Sequence, residues 1–284
     1  MIEILHKNTG KVLQAINIDS LDGADLSEMD LQGADFHQTC LKGVNFSHTN
    51  LNEADLTGAD LSHAFICGAQ FNQASLKNSN LSHIYAGATT HRDRAILSNA
   101  DMSGVNLAGA YLRGAELHHA NLENAYLCNA DLRDADLQGS SLNNVTARHT
   151  LFIGASLVRA DLTGADLRNS HLNDSNMKEA VLAGADLSTI THGGFTVLNL
   201  SNLQNADLSH ANMRNILAEH VDFRFANLTD VDISDSVLSG STFRRADVTN
   251  ADFSNVELAS VSMEYANFSM ARNVNLPSYK VHIR

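Results

Sequence analysis

The chain has 284 residues, 44% of them hydrophobic, and 32 acids against 19 bases give a net charge of −13. That acidity argues against direct nucleic-acid binding, which needs clustered Lys and Arg to displace counterions. No apolar run approaches the ~20 residues of a membrane span. Three cysteines without metal spacing make no disulfide framework, and Met1–Gly10 lacks a basic-then-apolar leader, so the expected setting is the cytoplasm.

In chain order, two short apolar runs within Ile2–Ile16 flank Asn8-Thr9-Gly10, good turn chemistry, and predict a β-hairpin over residues 1–18. From Leu21 a large apolar residue recurs every fifth position, with a small residue two places before it. This large residue is the centre of each repeat; the first run of centres ends at Leu81. The beat resumes at Leu97, sixteen residues on instead of fifteen, so residues 84–94 are a candidate projecting loop. A second run reaches Leu187, a second one-residue slip marks 189–194, and a third run goes from Leu198 to Phe268. The array spans 19–271, and 272–284, with the single proline Pro277, reads as a closing cap.

A helix would place apolar residues three and four apart, and a plain strand would alternate strictly. Inward positions two apart within a unit of five instead give a short strand followed by a corner. Ala59-Asp-Leu-Ser-His63 and Ala160-Asp-Leu-Thr-Gly164 carry the motif Ala-(Asp/Asn)-Leu-(Ser/Thr)-Gly, and in this the chain resembles the pentapeptide repeat family over about nine-tenths of its length. The resemblance implies an all-β fold: a right-handed quadrilateral parallel β-helix with four repeats per coil, here capped by the N-terminal β-hairpin. Handedness and the four sides come from the resemblance; the period alone does not give them. About eleven or twelve coils at ~4.8 Å would stack into a rod-like solenoid.

Two places after each centre stand mostly Gly, Asn, Asp and His, the residues that best tolerate positive φ, so this position is a corner. Seven of the 14 histidines fall there: His48, His63, His83, His119, His149, His210 and His220. Corner preference accounts for them without a metal, and no cofactor is expected. The Asn-Leu-Ser sequons are likewise written by the repeat. One place before each centre runs an acidic stripe, and residues twenty apart should stack: Asp35 over Asp55, Asp166 over Asp186, Asp232 over Asp252. Arg pairs twenty apart, such as Arg148 with Arg168 and Arg224 with Arg244, lie beside it. Apolar residues replace the acid at Phe65, Tyr111, Tyr126, Leu151, Val181, Leu217 and Val237; Leu217 and Val237 would stack, a candidate dimer or partner patch.

No Gly-rich phosphate loop or nucleophile–base pair stands out from the repeat, so no enzyme is expected. The reading is a non-catalytic, acidic, rod-like protein-interaction scaffold. Its candidate contact residues are Tyr85, His91, Arg92, Arg94, His192, Leu217 and Val237, where the beat fails or turns apolar. The resemblance implies an alternative: some family members act as DNA mimics on a type II topoisomerase such as DNA gyrase, and the Asp columns would supply the carboxylates. A structural spacer, needing no specific face, is a third reading.

Overall fold

The computed structural model describes residues 1–87, 90–189 and 194–274. The chain divides into two compact units, Met1–Ser141 and Leu142–Arg284. Each is a right-handed quadrilateral β-helix, built as follows.

Within one repeat the amide of Ala24 donates to the Leu21 carbonyl (3.1 Å), closing a four-residue turn whose third residue, Gly23, has φ +66. Such a turn demands the left-handed region at that position. The same corner recurs through both units, and all seven corner histidines adopt it, from His48 (φ 57) to His220 (φ 56). Between corners the chain is extended for only two or three residues, and each such piece pairs in parallel with the next coil. Asp25, Asp30, Asp35 and Cys40, on four successive sides, pair with Asn45, Asn50, Asp55 and Asp60. Four sides of five residues therefore make one coil. Amides at the centre and at the corner donate upward, as Leu26 does to Asn45 (2.9 Å) and Glu28 to Ser47 (2.9 Å).

Both inward positions are sealed. Every centre from Leu26 to Leu137 and from Leu142 to Leu258 is essentially inaccessible, including Phe36, Phe46, Phe71, Phe152, Phe223, Phe243 and Phe253. Burial of one such side chain is worth ~1.5–3 kcal/mol. Phe223 and Phe243 stack at 4.6 Å on adjacent coils. Where Ser or Thr takes the small inward position, its hydroxyl finds a backbone carbonyl: Thr49 reaches Leu26 (2.7 Å) and Ser241 reaches Ala218 (2.6 Å). Ser201 is the exception among the described residues: its buried hydroxyl has no partner and bears the desolvation cost.

The N-terminus forms strands β1 (Ile2–Leu5) and β2 (Val12–Ile16), paired antiparallel. This ribbon stands in for a missing coil. Asp35 N–H donates to the Leu5 carbonyl (2.8 Å) and Lys7 N–H to that of Gly33 (2.9 Å), so part of the first coil's edge is occupied.

The two slips are larger than the phase suggested. In the first unit Gln70 pairs with Ile96 and Tyr85 with Tyr111, steps of 26 rather than 20; in the second, His171 pairs with Val197 and Asp186 with Asn212. Each is a six-residue insertion, which appears as a slip of one because the repeat is five. The boundary at 84 is corrected accordingly. Ile84 and Ala86 are buried, Tyr85 pairs with Phe65 and Tyr111, and Ala86 takes a centre position that its small side chain concealed. The insert is 87–92, since Asp93 already accepts the Gly68 amide (2.7 Å) at the regular wall position. His192 and the expected cap from residue 275 onward, Pro277 included, lie outside the described residues.

Candidate protein-interaction faces

The acidic stripe is first a structural device. The residue just before each centre accepts the amide two places on: Ser27 N–H to Asp25 (3.1 Å), His37 N–H to Asp35 (3.1 Å), Thr57 N–H to Asp55 (3.0 Å). These short-range turns favour Asp or Asn at this position. Where Asn lies above Asp its amide donates downward, as Asn50 does to Asp30 (2.7 Å) and Asn227 to Asp207 (2.9 Å), relieving like-charge stacking.

Asp166, Asp186, Asn212, Asp232 and Asp252 form one continuous column of the second unit. The six-residue insertion brings the two predicted pairs into register. Yet this column is largely neutralised. Asp166 accepts from Arg148 Nε (2.5 Å) and Arg168 Nη2 (2.7 Å), Arg168 also lies 3.5 Å from Asp186, and Arg272 lies 3.5 Å from Asp252. Burial pushes the Asp166 carboxyl up, but the hydrogen bonds from Arg168 and Arg148 outweigh it and hold it below the usual carboxylate range. Asp35 and Asp55 pair in the first unit with no cation within ion-pair distance among the described residues. At Asp55 burial again pushes up, and the Thr57 hydroxyl and amide pull down. Residues 1–90 hold ten acids, four lysines and no arginine.

Two outward columns are apolar. In the first unit Phe65, Tyr85 and Tyr111 succeed one another, Tyr85 stacked on Tyr111 (5.3 Å, 7°) and edge-on to Phe65 (6.3 Å). Phe65 and Tyr85 are 49% and 44% exposed, too much for rings placed only to pack. The insert borders this column, for Gly87 lies against the Tyr85 hydroxyl and the Tyr111 ring. It carries a 3₁₀ turn over His91–Asp93, capped by Thr90 and Asp93 on each other's backbone amides, with His91 and Arg92 exposed. Arg94 reaches back to Glu116 (3.9 Å). Gly68 lets the insert dock: its φ is +68, and any Cβ there would meet the Arg92 carbonyl at 2.7 Å. In the second unit the column is Leu151, His171, Val197, Leu217, Val237, with Leu217 paired to Val237. Phe225 and Tyr265 do not join it; they occupy corners, two places after the centres Phe223 and Met263.

Four of the corner histidines have a glycine as packing partner. His83 and His119 each lie against a glycine of the next coil, Gly109 and Gly139, where a Cβ would come within 2.6 Å of the imidazole; His48 and His220 do the same with Gly68 and Gly240. Among the described residues no three His, Cys, Asp or Glu side chains converge on a metal position, and no helix is long and apolar enough to cross a membrane.

A family model for pentapeptide repeats matches eight copies, over residues 20–47, 49–84, 95–134, 130–169, 160–189, 201–240 and 236–272. The chain belongs to the pentapeptide repeat family. Among solved pentapeptide repeat proteins it is similar to HetL of the cyanobacterium Nostoc sp. strain PCC 7120, involved in heterocyst differentiation regulation: 23% identity, 88% of this chain and 89% of that one, TM-score 0.34. A trypsin-treated form of QnrB1, a plasmid-mediated fluoroquinolone resistance protein, is 21% identical over 80% of this chain and 92% of its own, TM-score 0.28. No curated protein matches the sequence. In this pentapeptide repeat chain the insert's size and the His–Gly corners escaped the sequence; spacing after Ala86 and Gly twenty residues after His were the available signals.

Proposed function

We propose that the protein is a non-catalytic interaction scaffold of the cytoplasm, and that its first unit docks a protein partner through the Phe65–Tyr85–Tyr111 column together with His91 and Arg92 of the adjoining insert. One observation carries this reading: three aromatic side chains in outward register, on a wall otherwise lined by Asp and Asn, directly beside the described insert of that unit. Exposed aromatic surface costs solubility and is retained where something covers it. Removing residues 87–92 joins Ala86 to Asp93 and restores a five-residue interval between centres, so the fold should survive. Affinity capture from native cytosol with the intact chain, the deletion and Tyr85→Ala tests the reading. The same partner should be retained by the first and lost by the other two; retention by all three ends it.

A second reading, that the acidic coils occupy the DNA-binding surface of a type II topoisomerase, is favoured by the carboxylates of residues 1–90, of which Asp35 and Asp55 have no cation within ion-pair distance among the described residues. It concerns that stretch and not the Arg-bridged column of Asp166 and Asp186. A supercoiling reaction unchanged by excess protein at low salt would remove it. Pairing of the Leu217–Val237 column between two copies is the corresponding proposal for a homodimer, read by sedimentation of Val237→Asp.

A further inference from the structure

Nine arginines from Arg94 to Arg272 each lie within 4.0 Å of a carboxylate. Arg92 and the adjacent Arg244 and Arg245 stand outside that set among the described residues. Arg245 is instead held between two aromatic rings, with its guanidinium carbon 5.6 Å from the Phe225 centroid and 5.8 Å from that of Tyr265. Arg244 lies 5.9 Å from the same Tyr265 ring. The three stacked residues occupy corners at φ 61, 59 and 61, a conformation that Gly or Asn adopts without the penalty a bulky side chain meets. Stacking on a ring leaves the N–H edge of a guanidinium free for a carboxylate.

Beside this stack runs an open groove of about 640 Å³, whose lining includes Asp222, Arg224, Arg244, Ser262, Glu264 and Tyr265. Asp222 is held by Arg224 (2.6 Å), and the Ser262 hydroxyl donates to Glu264 (2.5 Å). Among the described residues Arg244 has no carboxylate within 4.0 Å, and Tyr265 (59% exposed) with Phe225 (44%) supplies apolar surface next to it.

We propose that this corner of the second unit binds an acidic peptide segment of a partner protein, with carboxylates on Arg244 and Arg245 and a neighbouring apolar side chain on Tyr265 and Phe225. The groove's own Asp222 and Glu264 disfavour a dense polyphosphate chain and admit spaced carboxylates. The site lies in the second unit and the Phe65–Tyr85–Tyr111 face in the first, so its success or failure is read separately from partner docking there.

The test is fluorescence anisotropy with a labelled peptide of alternating Glu and Phe, at low and at high salt. Wild type should bind at low salt and weaken as salt rises. The double variant Arg244→Ala/Arg245→Ala should lose about tenfold or more, and Tyr265→Ala a few-fold, with melting curves matched to wild type. Arg113→Ala, whose guanidinium is taken by Asp134, and the deletion of 87–92 should bind as wild type does. Absence of binding by wild type, equal binding by the double variant, or tighter binding of a single-stranded oligonucleotide of equal charge each overturns the proposal.

Discussion

Asp55 and Asp166 sit at the same position of the repeat, accept the amide two residues on, and pair in parallel with another Asp one coil away. They nevertheless present different surfaces. Asp55 has Thr57 after its centre, and Asp166 has Arg168; Arg148, on the neighbouring coil, adds a second guanidinium to the latter. The turn therefore selects the carboxylate, and the residue after the centre decides whether that carboxylate remains a charge or becomes half of an ion pair. Acidity counted along the sequence overstates the negative surface of the second unit and describes residues 1–90 well.

The widest test of the comparison is whether it is confined to the surface. Leu132 in the first unit and Phe223 in the second are both sealed inside, and truncation to Ala should cost ~2–5 kcal/mol for Leu132 and ~3–5 kcal/mol for Phe223 in denaturant titrations. Losses of such similar size would show that the two units share one core economy beneath unlike faces. Next in size is Gly139→Ala, at ~1–3 kcal/mol, because positive φ penalises any Cβ and His119 fills the space it needs. Adding His119→Ala should recover the steric part and leave the backbone part, a coupling that a double-mutant cycle reads directly.

The ion pairs give the sharper contrast. Asp166→Asn should lower stability at neutral pH by ~1 kcal/mol, since one partly buried acceptor of two guanidinium bonds is lost. The folded carboxyl titrates below the unfolded value of about 3.9. Its stabilisation is thus present above that value and is lost as pH falls through the folded pKa. Melting temperatures of wild type and variant should differ at pH 6 and converge in strong acid. The smallest effect belongs to Asp55→Asn, where the amide oxygen accepts from Thr57 as the carboxylate did; a change within ~0.5 kcal/mol is expected. A loss as large as that at Asp166 would mean a carboxylate without a guanidinium in contact matters equally to folding and the contrast is false.

Much of this was readable from the chain alone, because a five-residue period leaves little freedom. Leu or Phe two places after Ala must point inward, and Gly, Asn or His two places after that must turn the corner at positive φ; residues from Gly23 to Asn273 do so. The hairpin and the stacking of Asp35 on Asp55 follow from the same local rules. The tertiary structure decided whatever depends on contacts between coils. A phase slip of one cannot distinguish one inserted residue from six, and Ala86 is too small to announce itself as a centre, so the extent of the insert had to come from the pairing of Tyr85 with Tyr111. The same pairing rule joins Asp186 to Asn212 and makes one column of two. Whether Arg168 embraces Asp166, while Arg245 rests on Phe225 and Tyr265, depends on side chains 20 residues apart meeting across a coil, and only the stacked wall brings them within reach.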